Sequence, residues 1–204
     1  MKKIVITMLA GVCFAQPAFA QEDTAVDAAR DGIRIEARVA YENVGDPEND
    51  VIYELGQGIA FGGEIGFDVA VSDTVVVGPF ASYQSSTTEY CTDNNDFCVG
   101  VGGYLAAGLH VGFAMGENAQ VYGKLGYAQL TIDAKGRLFD PQANAFVNVD
   151  ESETGGGYEF AFGYEHGFGE NIYARAEVSV GTSTDIYGFD FQRGSVAVAI
   201  GARF

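Results

Sequence analysis

Any chemistry this chain performs must start from few side chains. His110 and His166 are its two histidines, and Cys91 and Cys98 are two of its three cysteines. A hydrolytic site needs a nucleophile or an activated water beside a base. His110 falls mid-strand on a polar face, which predicts a hydrogen-bonded packing role, and His166 adjoins the short stretch Gly167-Phe168-Gly169-Glu170. No G-x-S-x-G occurs. The nearest approach to a phosphate-binding loop also fails, because Gly116 is too far from Gly123-Lys124 and Leu125 stands where Ser or Thr is required. Asp93-Asn94-Asn95-Asp96 suggests calcium, but Cys98 occupies the position at which an EF-type loop needs glycine. Zinc would need further Cys or His ligands near Cys91 and Cys98, and that stretch has none, so a disulfide closing the loop is predicted. These residues predict no enzyme, no metal and no cofactor.

What remains is charge at a spacing of two. Residues 32–42, GIRIEARVAYE, put Arg34, Glu36, Arg38 and Glu42 on one face of a strand and Ile33, Ile35, Ala37, Val39 and Tyr41 on the other. The pattern returns along the chain, with Glu64 and Asp68, then Lys124, Glu159 and Glu165, Arg175 and Glu177, and Arg203 all opposite an apolar face. In a soluble sheet the apolar face turns inward and the charges meet water. Whether that holds here depends on the elements that carry the charges.

The chain opens with Lys2 and Lys3, an apolar run from Ile4 to Phe14, and Ala18-Phe19-Ala20, which predicts a signal peptide at 1–20, cleaved after Ala20. Ala10-Gly11-Val12 before Cys13 lacks the context of a lipid attachment site. Residues 21–31 read as a short polar segment, and 32–204 as one domain with no linker. Loss of two of the 11 basic residues leaves 9 against 28 acids, a net of −19, which argues against a nucleic-acid partner. Export also suits the Cys91–Cys98 disulfide.

No stretch after residue 20 has the ~18 to 20 continuous apolar residues of a spanning helix. A barrel strand needs only ~9 to 11 residues with alternate positions apolar. Eight such stretches are predicted, at 32–42, 58–71, 75–83, 99–113, 119–132, 156–166, 171–183 and 194–204. Connections at 43–57, 84–98, 133–155 and 184–193 are long and polar, while 72–74, 114–118 and 167–170 are short turns of Ser, Asp, Gly and Asn. The expected fold is therefore all-β: a closed eight-stranded antiparallel up-and-down transmembrane barrel, with four long extracellular loops and short periplasmic turns.

A secreted barrel with an apolar cavity is the competing architecture. The polar faces argue against it, since they are also crowded with small residues: Gly62, Gly66, Gly100, Gly102, Ala106, Gly108, Gly112, Ala161, Gly163, Ala197, Ala199 and Gly201. Bulk lies opposite, as in Phe61, Ile65, Phe67, Val69 and Val71, or Tyr158, Phe160, Phe162 and Tyr164. A narrow bore admits small residues and a few long charged ones, whereas a lipid face has no such limit. The charged face is therefore expected inside. Pro79 is a misfit, because a closed barrel has no free edge for it, and it predicts either a bulge at Gly78-Pro79 or a mis-set third strand.

The chain resembles the small eight-stranded outer-membrane barrels, similar to the transmembrane domain of outer membrane protein A and to opacity-type surface proteins. The resemblance rests on VYGKLGYAQLT at 121–131, GYEHGFGENIYARAEVSVG at 163–181 and the ending SVAVAIGARF. It implies residence in the outer membrane among lipid and lipopolysaccharide. It also implies that the last strand, ending at Phe204, is the signal read by the barrel-assembly machinery, although Ala202 is smaller than the residue often found there. No peptidoglycan-binding domain is expected after Phe204.

Inside the barrel, Arg34, Arg38, Lys124, Arg175 and Arg203 are expected to pair with Glu36, Glu64, Asp68, Glu159, Glu165 and Glu177, because enclosed unpaired charge is costly. Two functions fit that interior: a structural or surface-interaction barrel with a charge-paired plug, or a narrow porin-like channel for ions or small solutes. Near-balance of the inner charges favours the plug. No ligand of the loops is legible.

Overall fold

Period-two alternation builds the first strand: Arg34, Glu36, Arg38, Ala40 and Glu42 are buried while Ile33, Ile35, Val39 and Tyr41 are exposed. The computed structural model describes residues 30–46, 54–92, 96–140, 144–169 and 171–204. Nine strands occur among them: β1 (Gly32–Gly45), β2 (Glu54–Ser72), β3 (Val75–Ser86), β4 (Glu89–Cys91), β5 (Phe97–Ala114), β6 (Ala119–Asp140), β7 (Ala145–Phe168), β8 (Ile172–Ile186) and β9 (Phe189–Arg203). All pair antiparallel with a neighbour, β1 closes on β9 and β3 on β5, and the short β4 pairs only with β5. The result is a closed ring of eight, as expected. At the seam, Ile33 and Phe204 exchange backbone hydrogen bonds of 3.0 Å in both directions. The expected signal peptide, most of the 21–31 segment and Asp93–Asn95 of the loop tip lie outside the described residues.

The outward face dates the bilayer. Tyr41, Tyr83, Tyr127 and Tyr158 all point outward, nine, eight, eight and ten residues from the short-turn ends of their strands. At ~3.3 Å rise and ~40° tilt this is roughly 20–25 Å above that end, where Phe113, Phe168 and Phe204 are exposed. Two aromatic girdles about 25 Å apart bound the apolar band of a transmembrane barrel.

Several expectations need correction. The stretches 133–155 and 184–193 are almost wholly strand: β6 and β7 continue to Asp140 and Ala145, and β8 passes to β9 through Tyr187 and Gly188. Both have positive φ, 52° and 78°, which a two-residue type I′ hairpin requires and Gly188 accepts without strain. Outside the bilayer a strand needs no apolar outer face, so these strands lack the alternation that marks a spanning segment.

Pro79 forms no bulge and does not displace β3. Its register with β5 is continuous through Pro79↔Leu109, and that with β2 runs unshifted from Gly66↔Phe80 to Val69↔Val77, skipping only the two pairs between. The missing N–H thus weakens one ladder locally. A bulge does occur elsewhere, between Val101 and Gly103. It reverses the phase of the start of β5, so Val101 is buried and Gly100 and Gly102 do not belong to the inner face as expected.

Cys91 and Cys98 face one another across β4 and β5 and form a disulfide. A short closed loop of this kind restricts the unfolded chain by about 2–3 kcal/mol, but the ring is already held by its ladder and by lipid. Replacing both by Ser should leave folding and insertion intact while making 91–98 faster to cleave under limited proteolysis. An unchanged cleavage rate, or two free thiols in mass spectra of protein isolated without reductant, would count against this role.

Candidate functional site

The bore is filled by ion pairs arranged around one carboxylate. Glu64, from β2, meets four cations from three other strands: Lys124 Nζ at 2.6 Å, Arg38 Nη1 at 2.8 Å, Arg34 Nη1 at 3.3 Å and Arg175 Nη1 at 3.4 Å. Glu177 joins the same tier, pairing with Arg38 and with Lys124 Nζ at 2.6 Å and accepting the Tyr122 hydroxyl at 2.9 Å. Arg175 also reaches Glu36 at 3.3 Å and Glu165 at 2.7 Å. Toward the short turns, Asp68 bridges Arg34 at 2.6 Å, Arg203 at 3.3 Å and His110 Nδ1 at 3.1 Å, while Arg203 also meets Glu165 at 3.2 Å. Toward the opposite end, Arg193 pairs with Glu42 at 2.6 Å and lies 3.8 Å from Glu159.

Aromatic rings fill the gaps between charges. Arg175 lies 4.5 Å from the centre of the Tyr122 ring, and Arg193 lies 4.2 Å from that of Tyr104. Tyr122 leans over its cross-strand partner Gly163, and Tyr173 over Gly201, where a Cβ would collide with the ring. The small residues of the inner face are the room these side chains need.

Six buried cations thus share the bore with seven carboxylates. All eleven charges expected inside, Arg34, Glu36, Arg38, Glu64, Asp68, Lys124, Glu159, Glu165, Arg175, Glu177 and Arg203, are buried in it. Arg193 falls outside that set because 184–193 reads as a loop; it has the parity of Ser195 and Ala197, and continuing β9 upstream by one step includes it. Glu42 was visible on the charged face of β1, but its partner was not. His110 is fully buried between Asp68 and the Tyr122 ring, 5.1 Å between ring centres.

The sequence profile of the family described as "Outer membrane protein beta-barrel domain" matches residues 6–204. The chain belongs to that family. Membership places this barrel in the outer membrane, in keeping with its two girdles. Among solved structures, the attachment invasion locus protein Ail of Yersinia pestis is similar with a TM-score of 0.55 and 12% identity, covering 86% of this chain and 100% of that one. Neisserial surface protein A, NspA, is similar with a TM-score of 0.56 and 13% identity, covering 85% and 97%. At such identities the likeness is one of fold. No curated protein sequence matches this outer-membrane barrel.

Proposed function

We propose that this barrel is a closed, non-conducting outer-membrane protein that acts through the strand ends beyond its tyrosine girdle, as a surface-interaction protein. One observation carries the reading: the Glu64-centred network, with Tyr122 and Tyr173, occupies the bore through the height of the bilayer. A solute would have to break several buried pairs at once, each costly to separate. The reading is also non-enzymatic, since His110 is fully buried and His166, near a short turn, sits in ring pairs with Tyr164 and Phe168 and 3.4 Å from the Tyr164 hydroxyl.

On this reading residues 1–20 are the signal that exports the chain, lipid and lipopolysaccharide surround the apolar face, and the assembly machinery reads the last strand with its exposed Phe204. The long-connection end faces outward from the cell. Ail has been solved in complex with the heparin analogue sucrose octasulfate, but a polyanion is a poor match for this chain. Its strand ends beyond the girdle carry Glu54, Glu89, Asp150, Glu151 and Glu153, within a net charge of −17. A neutral or cationic partner fits better.

Planar-bilayer recording of the refolded protein, checked for folding by heat-modifiable migration on a gel, separates plug from pore. No unitary conductance above background is expected. Reproducible steps from correctly folded protein would favour the narrow channel and remove the plug.

A further inference from the structure

Above the tyrosine girdle the barrel reverses its polarity. Within the bilayer, charges point in and apolar side chains point out. Beyond it Leu55, Ile132, Ala134 and Phe191 are buried inside, whereas Gln57, Asp133, Lys135, Ser152, Thr154 and Thr184 lie on the outer side of β2, β6, β7 and β8, in intermediate or exposed positions. Polar pairing there is local, with Thr131 and Thr154 at 2.8 Å and Ser152 donating to Asp133 at 2.6 Å. Nothing about the membrane demands an apolar interior at this height. Leu55, Val99, Ile132 and Phe191 lie twelve to seventeen residues from the short-turn ends, roughly 30–43 Å up and outside the apolar band.

The bore is also no longer full. Val44 and Leu130 are buried beyond the charge network, and above them lies a cavity of about 940 Å³ lined by Leu55, Val99, Ile132, Ala134, Val149 and Phe191. A segment packed only for stability would close on itself, as the section below does with Arg, Tyr and Gly. The volume is at the upper end of small-molecule sites, which are mostly apolar with a few placed polar groups. The charged groups among them share one sign. Glu54 and Glu151 contribute carboxylates to the lining, Gln57, Tyr90 and Tyr187 are its neutral polar residues, and the described lining residues include no Lys, Arg or His. Glu89 borders the cavity, but its carboxylate turns to the outer side beside Cys91 and Cys98. The Tyr187 phenol on the same wall is pushed above its ordinary pKa by desolvation and by the carboxylates of Glu151 and Glu153.

We propose that this cup is a binding site for a small cationic amphiphile, its apolar body against Leu55, Ile132 and Phe191 and its ammonium-type head between Glu54 and Glu151. The site opens away from the membrane, so its ligand arrives from water, and it lies apart from the charged network of the bore.

The test uses the full barrel in lipid nanodiscs, titrated by calorimetry with decyltrimethylammonium, with decyl sulfate, and against protein-free nanodiscs that correct for partitioning into lipid. Saturable uptake of one decyltrimethylammonium per barrel is expected, about tenfold tighter than decyl sulfate. Glu54→Gln/Glu151→Gln, two exposed changes that leave the ring untouched, should abolish that preference. Leu55→Asn should weaken both probes. Uptake equal to that of protein-free discs would overturn the proposal. So would a preference for the cation that survives the double substitution, or binding that neither variant alters.

Discussion

Glu64→Gln should destabilise the barrel by about 3–5 kcal/mol, the range for removing one partner from a buried ion pair. The change is nearly isosteric, so packing is kept and the loss is electrostatic. Four cations, Arg34, Arg38, Lys124 and Arg175, would converge on an amide that offers one acceptor and no charge. The overall count does not rescue them. Six cations would then face six carboxylates, but the carboxylate most loosely paired, Glu159, stands at the far end beside Arg193 and not among the stranded four. The midpoint of urea unfolding in lipid vesicles measures the effect. Glu117→Gln in the exposed 115–118 turn serves as the control and should stay within ~0.5 kcal/mol of the parent. Lys124→Met added to Glu64→Gln should recover part of the loss, because it removes a charge that the first change left uncompensated. Equal midpoints for Glu64→Gln and Glu117→Gln would mean that the network does not hold the bore closed.

Much of this arrangement is legible in the chain because β structure writes a two-residue period directly into sequence. Arg34, Glu36 and Arg38 against Ile33, Ile35 and Val39 give the sense of the wall, and the small residues beside Glu64 and Arg175 give its inside. Which acid meets which base is not legible. Glu64 and Arg175 are 111 positions apart and meet across the bore, so their contact depends on the stagger of the closed ring, which no local pattern encodes. The bulge between Val101 and Gly103 escaped for a related reason. One extra residue inverts the parity of the strand upstream while leaving a plausible alternation on either side. The strands beyond the girdle read as loops because their outer face is polar, and Arg193 and the apolar cup lie within them. There the alternation runs in the soluble sense, apolar in and polar out, which is the pattern a secreted barrel would show along its whole length. It describes one end of this molecule and not the rest.

The claim on which the account depends is that the apolar face meets lipid, and a lysine scan of that face tests it most directly. Ile65 lies seven residues before Ser72 and Phe162 six before Phe168, and both point outward between the girdles. At ~3.3 Å rise and ~40° tilt they sit roughly 15–18 Å above the short-turn end, inside an apolar band ~25 Å tall. A lysine near that depth costs about 2–4 kcal/mol, falling toward ~0–1 at an interface. Val147, exposed on β7 well beyond Tyr158, meets water and should tolerate the same change within ~0.5 kcal/mol. Urea unfolding in vesicles is therefore expected to show Ile65→Lys and Phe162→Lys each about 2–4 kcal/mol less stable than the parent, with Val147→Lys unchanged. Losses that are negligible at all three positions would turn the barrel inside out, with the charged face toward the surroundings and the apolar face enclosed.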